Sequence, residues 1–259
     1  MRQLDVFGVY NHSLKSLRDH LGFAFNISWP WMVLVLPLNV ATNSYAILNE
    51  PDYPQKMSAP LSFALITVGF LSFLAFASIA VSWHRYVLRD EMPQGWARFR
   101  IDRTVWRYAG NAILLVLILA APTIVLSLAI AFVSAAITNL LFIPLVGALI
   151  VGIMALSFQL GIKFPAIALD RTDYKFNNAK TDTAGNFWSF VGLTCLMLLT
   201  LLAFGLLITA ITLVLSRFFS TPGLVFGVAI ESIANWVSTI WNVTLLTSLY
   251  GFFVEKREF

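Results

Sequence analysis

The chain has 259 residues, of which 59% are hydrophobic and only 12% charged, with a formal net charge of +4 and a mean hydropathy of +0.80. Average globular chains carry about 25% charged residues, so this composition excludes an ordinary soluble domain. The cations sit in short segments between apolar runs, which argues against nucleic acid as the partner of the positive charge.

Residues 1–22 hold Arg2, Asp5, Lys15, Arg18 and Asp19, a mixture unlike a signal peptide. Tyr10, Leu14, Leu17 and Leu21 recur at helical spacing, away from Lys15, Arg18 and Asp19. That stripe predicts an amphipathic helix lying in the inner membrane interface. A first span follows at 24–48, with Pro30 and Pro37 as bends and Asn39 and Asn43 one turn apart. The connector 49–60 carries Glu50, Asp52 and Lys56, and a second span covers 61–88. His84 and Arg85 stand where that span ends, between Trp83 and Tyr86. This reads as an interfacial anchor in an aromatic belt. The segment 95–107 mixes Trp96, Phe99 and Trp106 with charge and should lie at headgroup level. Arg85, Arg98, Arg100, Arg103 and Arg107 are the expected contacts to anionic lipid headgroups.

From Tyr108 to Ile162, fifty-five residues pass without one Asp, Glu, Lys or Arg. A helix rises about 1.5 Å per residue, so about 20 residues cross a hydrocarbon layer of roughly 30 Å. The run therefore holds two spans, 106–135 and 140–169, joined by a turn at 136–139. Pro122 and Pro144 bend or start these helices, and Asn111 and Gln159 read as interhelical hydrogen-bonding groups. The polar segment Asp170–Asn186 includes Asp170, Asp173 and Asp182. Metal binding by these acids is opposed by the neighbouring cations, so the segment reads as an ordered loop or docking surface. A fifth span covers 187–215. It contains Cys195, the single cysteine, which excludes an internal disulfide and a cysteine-cluster metal site.

The sixth span, 223–254, carries Glu231, Asn235, Ser238 and Asn242 at a spacing that places all four on one helix face. With Asn39 and Asn43 this stripe is either the lining of a polar cavity or a helix-packing seam. Glu231 precedes Val254 by 23 residues, roughly 35 Å along a straight helix. That puts it near the outer headgroups, with Arg217 as its expected partner.

Fifteen of the seventeen Lys and Arg residues fall in one alternating set of connectors, leaving only Lys56 and Arg217 in the other. By the positive-inside rule the cationic set, with both termini, is cytoplasmic. The expected fold is an all-α polytopic membrane protein, a single integral domain of six transmembrane helices in three hairpins behind an N-terminal interfacial helix. The returning helices close on similar residues around Leu88, Leu169 and Val254, each with an acid-base pair. Either the three hairpins form a pseudo-threefold repeat, or returning helices simply all end in charge at the cytoplasmic face.

Trp83-His84-Arg85, Phe164-Pro165-Ala166-Ile167-Ala168-Leu169-Asp170-Arg171 and Thr183-Ala184-Gly185-Asn186-Phe187-Trp188 together resemble a pattern from bacterial six-span inner-membrane proteins. Those are similar to the membrane domain attached to some glycerophosphodiester phosphodiesterases, and the likeness runs over residues 20–255. It implies a bacterial inner-membrane location and a helical membrane module. These residues hold no soluble phosphodiesterase barrel, so no catalytic residue carries over.

Neither a phosphate-binding glycine loop, a nucleophile elbow, a zinc-protease helix nor a dinucleotide fingerprint occurs. The expectation is a non-enzymatic integral membrane protein without cofactor: an accessory, scaffold or assembly subunit, or a lipid-associated module. Membrane lipids, other membrane subunits or a second copy are its expected partners. The alternative is a small-solute or ion transporter or channel whose polar cavity lies between the first and sixth helices. A membrane-embedded enzyme would need His84, Asp90 and Asp170 to converge.

Overall fold

Hydrocarbon offers no water to a free backbone N–H or C=O, so long apolar runs satisfy themselves as helices. The computed structural model describes residues 2–49, 54, 56–92 and 99–258, and every regular element among them is helical. In chain order these are α1 (Val6–Asp19), α2 (Leu21–Asn49), α3 (Ala59–Arg89), α4 (Arg103–Ala136), α5 (Phe142–Gly161), α6 (Lys163–Ala168), α7 (Phe176–Asp182) and α8 (Phe187–Phe253). A 3-10 turn, Asn139–Leu141, joins α4 to α5. Asp102 caps α4, accepting from the backbone N–H groups of Thr104 and Val105. Pro30, Pro37 and Pro122 lie inside their helices. Glu50, Asp52, Trp96 and Arg98 fall outside the described residues.

Five helices are long and apolar enough to cross a membrane: α2, α3, α4, the α5–α6 pair and α8. The chain is thus a multi-pass membrane protein. α8, at 67 residues, would be about 100 Å long if straight. It is not straight. A Cβ on Gly223 would run into the Leu215 carbonyl, and one on Gly227 into the Thr212 side chain. Residues 212 and 227 would be roughly 22 Å apart in a straight helix, so here two stretches lie side by side. The break is Ser220, at φ 51° and ψ −129°. We call residues 187–219 the outgoing arm and 221–253 the returning arm. The expected loop at 217–222 thus shrinks to one residue in a conformation that glycine adopts freely and serine does not. Ser220→Gly is expected to raise stability by about 1 kcal/mol, read as a higher unfolding midpoint in matched detergent.

Burial is uneven along the bundle. Near the cationic end, the last turns of α3, the first of α4, α6 and the final turns of α8 interlock around Trp83, Tyr108, Ile162, Phe190 and Tyr250. Away from that end the bundle loosens. Val116, Val125, Leu128 and Phe132 of α4, Ile143 of α5, and Leu202, Leu206, Leu213 and Phe218 of α8 are all exposed.

Two elements differ from expectation. α1 buries Val9, Ser13 and Leu17, while Leu14 and Leu21 are exposed. Its buried face is rotated from the apolar stripe because a small hydroxyl, Ser13, accepts the Trp241 indole N–H at 3.1 Å. Tyr10 reaches the other arm, with its hydroxyl 2.8 Å from Thr200 Oγ1. α1 is thus a strap across both arms of α8, tied at its start by Asn186, which accepts from the Leu4 N–H at 2.8 Å. The second difference is α7, a helical turn inside the segment expected as a loop. There Asn178 accepts from the Lys175 N–H at 3.0 Å.

Candidate functional site

Two regions gather the polar side chains: a cleft within the bundle, and the cationic end. The cleft opens between α2, α3 and the returning arm of α8, with a volume of about 230 Å³. Trp31, Phe76 and Trp236 form its walls, and Asn39, Asn235 and Thr239 are polar groups in its lining. Asn39 Oδ1 accepts from Asn43 at 3.0 Å, within α2, and lies 3.3 Å from Ser232 Oγ of α8. Asn39 and Asn235 therefore do meet at one cleft, while Asn43 turns onto its own helix.

The rest of the expected stripe goes elsewhere. Glu231, Ser238 and Asn242 do not line the cleft. Asn242 donates to the Ser238 carbonyl at 2.9 Å. The face of α8 turned to the cleft carries Ser232, Asn235, Trp236 and Thr239. Glu231 is exposed, and no ion pair joins it to Arg217 among the described residues. The hairpin explains this. Gly227 against Thr212 sets a register that brings Glu231 level with Ile208 rather than Arg217.

At the cationic end the returning helices tie to one another in a ring. From α3, Arg85 donates to the Ala168 carbonyl at 2.9 Å and to Asp170 at 2.8 Å, and Arg89 donates to the Leu169 carbonyl at 2.8 Å. Beyond α6, Arg171 donates to the Tyr250 hydroxyl of α8 at 2.9 Å. Past α8, Arg257 donates to the Leu88 carbonyl of α3 at 3.4 Å. The Ala168, Leu169 and Leu88 carbonyls are ones that a helix end leaves unpaired. Asp90, Asp170 and Lys256 follow the three helices with φ of 53°, 59° and 61°, the left-handed turn that closes a helix C-terminus.

The expected headgroup arginines separate accordingly. Arg85 is enclosed, its side chain 12% exposed, with Nε on both Glu91 oxygens at 2.8 and 2.9 Å. Arg100 pairs with Asp102 at 2.7 Å, and Arg107 reaches Asp170 at 3.6 Å. Arg103 is exposed and forms no ion pair among the described residues; Arg98 is outside them. Burial alone would raise the Asp170 pKa, but hydrogen bonds from Arg85 and Thr104 and the charge of Arg107 hold it below the ordinary carboxylate value.

The acids of the 170–186 segment do not converge. Asp182 accepts from Tyr174 at 2.7 Å while Asp170 faces Arg85, and no group of potential metal ligands occurs among the described residues. His84 corrects another expectation. It and Trp83 are fully buried, so neither is a belt residue facing lipid. Thr247 gives its proton to the Val243 carbonyl, so His84 Nδ1–H donates to Thr247 at 2.8 Å and Nε2 faces the Tyr108 hydroxyl at 3.4 Å. Both ring nitrogens point into the bundle.

His12 lies at the α1–α8 contact, Nδ1 3.0 Å from Ser248 Oγ. Burial first, then the charges of Lys15 and Arg257, hold its pKa below the ordinary 6.5. An unfolded chain takes up a proton near that value and the folded one resists, so stability is complete above it and declines as pH falls below it. The unfolding midpoint is expected to fall between pH 6.5 and about 5, and more shallowly in His12→Gln. Asp170 adds nothing in that window, because its depressed pKa withdraws stability only below the ordinary 3.8. Comparison with protein-family models, curated proteins and solved structures finds no match to this chain.

Proposed function

We propose that this chain is a non-enzymatic integral protein of a bacterial inner membrane that serves as a lipid-associated accessory module. It crosses six times, with α8 crossing twice, and keeps both termini and the arginine ring in the cytoplasm. The observation that carries this reading is the contrast between the two ends. The cationic end is locked by hydrogen bonds between helix termini, whereas the far halves of α4, α5 and α8 expose apolar side chains that none of the described residues covers. A rigid end with loose apolar flanks suits solvation by lipid or by partner helices. The fifteen-to-two division of Lys and Arg supports the orientation, and the resemblance to bacterial six-span proteins supports the compartment.

The three left-handed caps support a pseudo-threefold origin of the hairpins. They shift the middle match by one residue, so that Leu88, Ala168 and Val254 correspond, each two residues before its left-handed position. Of the described arginines among the five candidates, Arg103 is the one left exposed and without an ion pair for anionic headgroups.

The test is native mass spectrometry of the full chain released from nanodiscs of mixed neutral and anionic lipid. The reading expects retained lipid or a stoichiometric partner, and fewer anionic lipids on Arg103→Gln. A bare monomer that retains neither would overturn it. A second reading, passage of a small uncharged solute, is favoured by Asn39 and Asn235 sharing one cleft. It expects flux into proteoliposomes that falls in Asn235→Ala.

A further inference from the structure

The α2–α3–α8 cleft combines features that select a ligand. No charged residue among the described ones lines it. Asn235 is exposed, and its carboxamide makes no hydrogen bond of its own among the described residues, offering a donor and an acceptor. The hydroxyls of Ser72, Ser232 and Thr239 give their protons to the Val68, Val228 and Asn235 carbonyls at 2.7–2.8 Å. What they turn outward is oxygen lone pairs, suited to receive a hydroxyl proton. Trp31 and Trp236 supply flat apolar walls.

Depth narrows the choice. Trp31 and Asn39 stand ten and eighteen residues beyond Leu21, the start of α2, about 15 and 27 Å along the helix. By that measure the cleft runs from the middle of the hydrocarbon layer to its outer edge, where Ser232 follows Glu231 in α8. Among the described residues it is closed toward the cationic end: the Trp31 indole N–H donates to Ser78 at 3.0 Å, and Ile27, Val81 and Trp83 are packed beyond it. A phosphate drawn into its inner half would lose its water and find no counter-charge among the described lining residues. An uncharged hydroxyl loses less and finds partners.

We propose that this cleft binds the uncharged, hydroxyl-bearing head of a membrane-dissolved lipid, of which diacylglycerol is the model compound, with its acyl chains left in the bilayer. This rests on the lipid-associated reading and adds a lipid class and a site. The same chemistry would accept an aqueous polyol such as glycerol, but the closed cationic side favours a ligand that arrives laterally from the bilayer.

The experiment uses the full chain in phosphatidylcholine nanodiscs doped with a photoreactive diacylglycerol or with the phosphatidic acid of the same chains, followed by peptide mapping. Diacylglycerol is expected to label peptides covering 31–39 and 232–239 at least tenfold more than phosphatidic acid does. Asn235→Leu, an exchange at an exposed position, should lower that labelling at least fivefold, as should Thr239→Val, while Asn242→Ala leaves it unchanged. Glycerol at millimolar concentration should not compete. Equal labelling by phosphatidic acid, or labelling untouched by both Asn235→Leu and Thr239→Val, would overturn the site; competition by glycerol would overturn the lipid source. A chain that retains bulk lipid but leaves the cleft unlabelled refutes this inference alone. One that retains neither lipid nor a partner refutes the module reading as well.

Discussion

Arg85→Ala is expected to lower the stability of the folded protein by roughly 3 kcal/mol, the lower end of what removing one partner from an enclosed ion pair costs. Its guanidinium serves four acceptor atoms at once: both Glu91 oxygens, the Ala168 carbonyl and Asp170. The Arg85 side chain is 12% exposed, against 39% for Glu91 and 46% for Asp170, so water recovers part of what the two acids lose. Arg85→Lys keeps the charge but not the planar fork, and should fall between wild type and Arg85→Ala. Asp170→Asn retains an acceptor for Thr104 and should cost about 1 kcal/mol. Denaturant unfolding in matched detergent micelles measures all three. Equal midpoints for wild type and Arg85→Ala would show that the ring of returning helices contributes nothing.

Gly223→Ala is expected to be at least as damaging, costing about 3 kcal/mol or more, since overpacking is most severe where the obstacle is backbone. The added methyl group would meet the Leu215 carbonyl, which cannot move without opening the hairpin of α8. Gly227→Ala meets the Thr212 side chain, which can rotate, so its effect should be smaller. Gly205→Ala is the control. Nothing lies within 4 Å of a Cβ there, and the change should be neutral or stabilising by up to about 1 kcal/mol. The order Gly223, Gly227, Gly205 in loss of thermal midpoint tests the folded-back α8 directly.

The spans were legible because hydrocarbon imposes a length and forbids unpaired backbone. The uncharged stretch 108–162 became α4, the 3-10 turn and α5, with the fourth span, expected to run to 169, divided into α5 and α6 after Gly161. Asn39 and Asn235 were legible for a related reason, since an amide in an apolar helix marks itself. Ser72, Ser232 and Thr239 were not. Each hydroxyl bonds its own helix four residues back, so its type does not reveal the face it occupies. Glu231 led the expected stripe toward the wrong face, because four polar residues at helical spacing fix a direction only if all four point inward. The arginine ring was hidden because its partners are distant in sequence, with Arg85 and Asp170 meeting across a tertiary contact. His84 followed the same pattern. Its position near a helix end suggested an interface, and only the arrival of Thr247 and Tyr108 makes it a core residue.

The even count of crossings underlies every assignment of side. It is tested most directly by placing single cysteines at Lys175 and at Arg257 in a Cys195→Ser background, and labelling right-side-out and inverted vesicles with a membrane-impermeant maleimide. If α8 crosses twice, both positions react from the cytoplasmic face and neither from the opposite one. Reaction of Lys175→Cys and Arg257→Cys from opposite faces would mean that α8 crosses once, and the six-span account would be wrong.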